Sequence, residues 1–363
     1  MFEKLKGTLE YTKGKKPTLI EYSNEDTLPY LSAEYLRNNK LESYVDKKNI
    51  DSKYHCNSDD LLIIWDGSNS GEVFMGKPGI LSSTMAKLKI KDKKYTNKYL
   101  YYFLKQKFSI LNEKVTGAAI PHLNKAVLEN LEIYSATQSE QQEIVQVLDT
   151  MSNIIRLREE CISHAQDLIP ALFQEMFGDV IQNKKNINKI KLGKIFILSS
   201  GKFLPAKEMD ETGIYPVFGG NGINGYHNEY LFDEPKLCIG RVGVKCGCVH
   251  LTKQKSWITD NALYINKLLK PINIIYLKEA LTQINLNQYA KRAAQPVISQ
   301  STIYNQYILE PPIELQEQFA QKAIEIEAYI KEQNEELENA KQMFQSLLHH
   351  AFTGELTRRA YEN

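Results

Sequence analysis

Most of the residues able to do chemistry in this chain lack a partner at the spacing that chemistry requires. Cys238, Cys246, Cys248 and His250 bring together zinc-type donors. Their alternate spacing on a strand puts small residues on one side without the C-x2-C knuckle of a structural zinc site, so no metal is expected. Gly220-Asn221-Gly222-Ile223-Asn224-Gly225 fits the dinucleotide pattern G-x-G-x-x-G, but Tyr226-His227-Asn228-Glu229 follows where a packing helix is needed. Glycine turns account for it better. Glu234-Pro235-Lys236 resembles the end of a nuclease site with no convincing acidic residue before it. There is no P-loop and no H-E-x-x-H, and His349-His350 near a helix end suits the helix dipole better than a metal. The only Pro-Pro, after Glu310, precedes Ile313 at a helix start and cannot form the Asn/Asp-Pro-Pro-aromatic segment that receives a flipped adenine. No catalytic residue and no cofactor is expected of this chain.

What remains is charge and amides. The net charge is +1, but residues 139–179 and 314–355 together hold seventeen acids against five bases, a net of −12 that leaves +13 on the rest of the chain. Such a distribution focuses an anionic polymer on the basic segments and away from the acidic ones. The rival reading is a lysine-rich surface kept for solubility. Lys13, Lys15 and Lys16 around Gly14, and Lys202 beside Gly201, suit phosphate contact, which positions a duplex without reading it. Arg241, and Lys291-Arg292 ahead of Gln295, could reach base edges, as Arg reads guanine and Asn or Gln reads adenine. Asn221, Asn69, Ser70 and Asn124 complete the DNA-contact candidates.

The elements that must carry these residues are repeated. Residues Pro121 to Phe177 recur 175 positions later as Pro296 to Phe352 without a gap, and Lys4-Leu5, Gly14-Lys15 and Pro29 recur at an offset of 187. The first copy therefore holds about 12 extra residues, between roughly 30 and 60, as a surface loop tolerates. The plan is module, helix, module, helix. Ser139-Glu140-Gln141-Gln142 has the form of a capping box. From Ile144 an apolar seam steps by 4 and 3 through Leu148, Met151 and Ile155 to Ile162, Ala165, Ile169, Leu172 and Met176, interrupted at Arg158. The second copy runs from Phe319 to Ala351 and is interrupted at Gln333, so pairing in either direction would set these two polar residues together and fix the register, and two modules that each feed their own helix favour the antiparallel one. Pro170 predicts a kink near 166–170, and Gly178 and Gly354 stand where C-terminal caps belong. A helix of some 39 residues spans roughly 58 Å, enough to hold two small domains apart. In each module a buried strand runs into a turn, Asp60 to Trp65 before Asp66-Gly67-Ser68-Asn69-Ser70-Gly71, and Lys236 to Gly240 before Arg241-Val242-Gly243. Arg241 is read as standing in the place of Asp66, and Ser32 and Ala33 in the places of Gly219 and Gly220.

Thr116-Gly117, Pro121-His122-Leu123-Asn124, Leu131-Glu132-Ile133-Tyr134 and Glu140 to Ile144 resemble the end of a target recognition domain and the start of a spacer helix in specificity subunits of type I restriction-modification systems. Leu172 to Gly178, Tyr215 to Gly222, Gly240 to Gly243 and Leu315 to Gln318 are similar in kind. The resemblance implies an α+β chain with two mixed α/β target recognition domains separated by a long antiparallel two-helix coiled coil and related by a pseudo-two-fold repeat. The expected domains are 1–137 and 180–312 for recognition, 138–179 for the first helix and 313–363 for the second helix with its tail. It also implies a non-catalytic subunit that reads a bipartite double-stranded DNA target and recruits two adenine-N6 methyltransferase subunits and restriction subunits, with S-adenosylmethionine and ATP/Mg held by those partners. A self-contained DNA-modifying enzyme and a coiled-coil scaffold that reads no bases are the rivals. No apolar leader and no membrane span is expected, and the odd count of five cysteines fits a cytoplasmic address.

Overall fold

The computed structural model describes residues 1–91, 94–117, 121–210, 212–291 and 295–358. Two compact units form, Met1–Glu159 with Glu336–Asn363, and Glu160–Glu335, so the division falls inside both long helices. Each unit is mixed α+β. In the first, Leu9–Lys13, Met85–Ile90, Leu61–Ile64 and Val73–Met75 form one antiparallel sheet in that order. In the second, Phe196–Ser200, Ala262–Leu268, Leu237–Gly240 and Val249–Leu251 do the same.

The central strand of each sheet reads as an unbroken apolar run because both its faces are covered. Leu61 and Ile63 point into the large core that includes the helices, while Leu62 and Ile64 point into a smaller core with Leu31 and Leu81. Leu237 and Ile239 repeat the first role, and Cys238 the second. The smaller sheets contain a parallel pair, Tyr30 and Leu31 beside Ile80 and Leu81, matched by Val217 and Phe218 beside Trp257 and Ile258. Directly after this strand the copies part. Ser32 accepts the Tyr35 amide at 3.1 Å and caps the helix Ala33–Asn38, whereas Gly219 and Gly220 turn the second chain back into the strand Gly222–His227. The extra residues of the first copy are that helix and the segments that return from it.

Each module closes by pairing its first strand with its last: Lys4 lies opposite Glu132, and Lys191 opposite Tyr307, the same register in both copies. The long helices then begin at Gln138 and Ile313. The first helix is capped two residues earlier than the sequence suggested. Thr137 Oγ1 accepts the Glu140 amide at 3.3 Å while the Glu140 carboxylate accepts the Thr137 amide at 2.7 Å, a reciprocal box that leaves Ser139 inside the helix.

Gln141, inside the first turn of the helix, is fully buried. Its Oε1 accepts the amide of Thr96 at 2.9 Å, and its Nε2 donates to the carbonyls of Lys94 and Ala136 at 2.9 and 3.0 Å. Gln316 repeats the arrangement, accepting the Asn273 amide at 3.0 Å and donating to the Pro311 carbonyl at 2.9 Å. Thr96 and Asn273 are the N-caps of the short helices Asn97–Gln106 and Ile274–Gln283, so one buried amide ties the start of each long helix to the start of the short helix beside it. Tyr99 and Tyr276 add a second tie, donating to the carbonyls of Tyr134 and Leu309, each at 2.8 Å. Burial pushes both phenols up, which keeps them protonated as donors.

Within the first unit, Ile144 and Leu148 share a core with Phe344, Leu348 and Phe352, and within the second, Phe173 and Phe177 share one with Phe319 and Ala323. The beginning of each long helix thus packs with the end of the other. The seam departs from strict heptads near these ends, where Phe173 and Phe177 are buried in place of Leu172 and Met176. The steps from Ala165 through Ile169 to Phe173 and Phe177 are all of four residues. Each step of four advances about 400° on a helix with 3.6 residues per turn, so the buried stripe moves about 40° around the helix at every step and passes from the Leu172 and Met176 face to that of Phe173 and Phe177. The first helix continues unbroken through Pro170, and Gly178 and Gly354, at φ +78° and +77°, follow the two helix ends. Arg158 pairs with Glu336, one turn beyond Gln333 along the second helix. No helix among the described residues is long and apolar enough to cross a membrane.

Candidate nucleic-acid interface

The loops after the central strands, 65–72 and 241–248, are the same structure built from different side chains. In the first, Trp65 N donates to Thr84 O at 2.8 Å, Gly67 N to Pro121 O at 2.8 Å, Gly71 N to Ile64 O at 2.9 Å, and Leu123 N to Trp65 O at 2.8 Å. In the second, Arg241 N donates to Asn261 O at 2.8 Å, Gly243 N to Pro296 O at 2.9 Å, Gly247 N to Gly240 O at 2.7 Å, and Ile298 N to Arg241 O at 3.0 Å. This correspondence corrects the sequence alignment by one residue. Arg241 matches Trp65, and Asp66 matches Val242, since Asp66 bridges to His122 as Val242 bridges to Val297.

The exchange changes the chemistry of each loop. Asp66 is the centre of a cluster in the first unit: its carboxylate takes His122 Nδ1 at 2.6 Å and Lys13 Nζ at 2.8 Å. Partial burial raises the Asp66 carboxyl, but the hydrogen bonds and charges of Lys13 and His122 outweigh this and hold it below the usual carboxylate range. In the second unit the matching residues are Val242, Val297 and Ser200, and the neighbouring Arg241 guanidinium donates to Ser200 Oγ at 3.4 Å. His122 was missed in the sequence, although the 175-residue offset that pairs Pro121 with Pro296 places it beside the loop.

The other candidates divide. Asn69 and Asn221 are exposed. Ser70 is fully buried, and its hydroxyl donates to the carbonyls of Gly67, Trp65 and Pro121 at 2.7, 3.2 and 3.3 Å. It holds the loop closed from within, as its counterpart Cys246 does from an equally buried place where Asn287 Nδ2 approaches the sulfur at 3.5 Å. Asn124 caps the short helix Lys125–Glu129, accepting the amides of Ala126 and Val127 at 3.1 and 3.4 Å. Lys15 and Lys16 line a separate concavity with Asp46, Asp51, Lys53 and Tyr54. Lys202 lies 5.6 Å from the Trp257 ring centroid. Lys291 is exposed and bridges to Val297, which brings it to the Arg241 loop, while Arg292 lies outside the described residues.

Gly14 and Gly201 are required for a reason other than phosphate approach. A Cβ on Gly14 would stand 2.0 Å from the Ser82 carbonyl oxygen, and one on Gly201 2.2 Å from that of Thr259. The backbone each glycine admits is the protein's own.

Beside Arg241, a shallow concavity is lined by Gly220, Asn221, Asn224, Lys245, Asn261 and Gln295. It holds the run that mimicked a dinucleotide motif, which is a hairpin turn with Gly222 at φ +96°. Cys238, of the zinc-type set, is fully buried, and burial pushes its thiol up to about 12.

Comparison with known proteins agrees with this architecture. The family model for the type I restriction modification DNA specificity domain matches twice, over residues 1–164 and 184–339. The type I restriction enzyme MjaVIII specificity subunit of Methanocaldococcus jannaschii is 29% identical over 389 residues, covering 94% of this chain and 89% of that protein. The EcoprrI specificity subunit of Escherichia coli is 32% identical over 191 residues, 48% of this chain and 45% of that protein. A crystal structure of a type I restriction-modification system S subunit from M. genitalium has the same fold at a TM-score of 0.65 and 17% identity, covering 97% of this chain and 96% of that one.

Proposed function

The chain belongs to the type I restriction-modification DNA specificity family, and from that premise we propose that it reads a bipartite duplex DNA target, one half-site per module. Its part in such a system is recognition and not catalysis. The observation that carries the bipartite reading is the paired loops: one backbone scaffold, with its main bonds repeated at matched positions, presents Asp66 with His122 in one copy and Arg241 in the other. A protein reading the same sequence twice has no use for that difference.

The long helices, an antiparallel coiled-coil spacer on this reading, set the separation of the half-sites and hold the partners. Leu168, Ile326 and Tyr329 flank a groove in the second unit, and 175 residues away in sequence stand Met343, Met151 and Ile154 in the first. Leu168, Tyr329, Met343 and Ile154 are exposed. A duplicated apolar surface suits two copies of one partner, here an adenine-N6 methyltransferase subunit. S-adenosylmethionine, and ATP with Mg in any restriction subunit, belong to those cytoplasmic partners.

Methylation mapping of a genome exposed to the complete complex tests the proposal. Two short adenine-containing half-sites at a fixed separation are expected; a single continuous site would refute the bipartite reading. Methyl transfer by the purified chain alone would favour a self-contained enzyme, and equal binding of cognate and scrambled duplexes would favour a scaffold. A matched seven-residue insertion in both helices adds ~10 Å, about three base pairs of spacer, and leaves the half-sites unchanged. Altered half-sites in that variant would show that the helices do not set the spacing.

A further inference from the structure

The loop Arg241–Cys248 carries at its tip a side chain that the protein does not use. Val244 is 84% exposed, between Gly243 at φ +90° and Lys245. A β-branched aliphatic residue at such a turn gains nothing from packing and stiffens the tip. Its counterpart in the other loop is Ser68, so neither the backbone nor the neighbouring contacts require an apolar residue there. Around it, Asn221, Asn224, Asn261 and Gln295 line the concavity with Val244 itself, and their side-chain amides have no hydrogen-bond partner among the described residues. Asn224 folds closely over Gly219, where an added Cβ would lie 2.0 Å from its Nδ2. The result is an exposed apolar side chain that shares one concavity with four side-chain amides, Val242 and Lys245.

In the DNA major groove, this combination has one complement. Thymine alone presents a methyl group, and its partner adenine presents the N6 donor and N7 acceptor that an Asn or Gln amide matches in two bonds. We infer that Val244 is a specificity-determining residue of the second module, covering the C5-methyl of a thymine in an A·T pair whose adenine is read by an amide of the same concavity. This inference rests on the reading of the chain as a DNA specificity subunit, and its test separates the two.

The full chain, in complex with its methyltransferase subunits, is titrated with the mapped cognate duplex, with a scrambled duplex, and with cognate duplexes in which each thymine of the second half-site is replaced singly by uracil. Uracil keeps the pairing and removes only the methyl. At one position the replacement should weaken binding about four-fold, the value of one buried methyl-sized group. Val244→Ser should bind the thymine duplex about as weakly as the native chain binds the uracil duplex, and should not distinguish the two. If cognate is preferred over scrambled but no uracil replacement matters, the inference fails and the specificity reading stands. If Val244→Ser weakens binding yet still distinguishes thymine from uracil, Val244 acts otherwise, as by wedging between bases, and the inference is overturned. If cognate and scrambled duplexes bind alike, the specificity reading itself fails.

Discussion

The two modules differ least where their long helices are anchored and most where their loops meet solvent. Gln141 and Gln316 share two connections, to the N-cap amide of the short helix and to the carbonyl five residues before them, and Tyr99 and Tyr276 donate to carbonyls at matched positions. Yet of the loop residues, Trp65, Asp66, Ser68 and Asn69 correspond in sequence to Arg241, Val242, Val244 and Lys245, and no pair is chemically alike. A buried amide that satisfies several backbone groups cannot change without stranding them. An exposed tip whose own side chains make none of the bonds that hold the loop can change freely. Even in the core the copies diverge more than at the latches: the second unit stacks Phe173 on Tyr276 at 5.7 Å and sets Phe319 edge-on to both, where the first has Leu348 and Ile144 beside Tyr99.

The latches give the comparison its hardest test. Gln141→Leu strands the Thr96 amide and the Lys94 and Ala136 carbonyls, and is expected to destabilise its unit by roughly 3 kcal/mol. Gln316→Leu strands the Asn273 amide and the Pro311 carbonyl and should cost roughly 2 kcal/mol. Amide hydrogen exchange at Thr96 and Asn273 reads the two losses separately; protection unchanged in either variant would mean that the latch is dispensable.

Ser70 and Cys246 test whether the loops are truly equivalent. If they occupy one structural place, Ser70→Cys should cost about 1 kcal/mol for weaker bonds to its carbonyls, and Cys246→Ser less than about 1 kcal/mol. Losses of 3 kcal/mol or more in urea unfolding would mean that the two sites differ in shape.

The smallest effect belongs to the ion cluster that only the first loop has. Because the folded Asp66 carboxyl titrates below its unfolded value, its contribution is complete above about pH 4 and disappears as pH falls through the lower, folded value. Asp66→Asn should lower stability at pH 7 by less than about 1 kcal/mol, since Lys13 is half exposed, and the difference from the native chain should shrink progressively as pH falls below about 4. A difference that does not change with pH there would assign the loss to packing and not to charge. No counterpart is expected on changing Val242.

The repeat, the central strand of each module and the two helices were legible because they rest on periodicity, on unbroken apolar runs and on residues that recur at fixed offsets. Apolar steps of 3 and 4 locate a helix whatever its surroundings. Three features were hidden. The cap at Thr137 competes with an equally good box at Ser139, and only the buried role of Gln141 decides between them. The change from Met176 to Phe177 in the seam depends on helix twist, which composition does not display. The loop was misaligned by one residue because Asp66 and Arg241 stand out as charged residues after a strand, while Gly67 with Gly243 and Gly71 with Gly247, at an offset of 176, hold the true register. Of the contact candidates, Ser70 and Asn124 turned out to spend their polar atoms on backbone, a use that polar loop residues share with ligand contact and that sequence does not distinguish.

Most bonds that shape loops 65–72 and 241–248 run from peptide amides to peptide carbonyls, groups common to every residue but proline, and the others come from Ser70, Asn112 and Asn287, outside the segments that differ. The socket therefore does not depend on the text it displays. The segment Trp65 to Asn69 could be transplanted for Arg241 to Lys245, with its glycine at the same step, and the recipient would fold around it unchanged. An address can be rewritten in such a molecule without rebuilding the house.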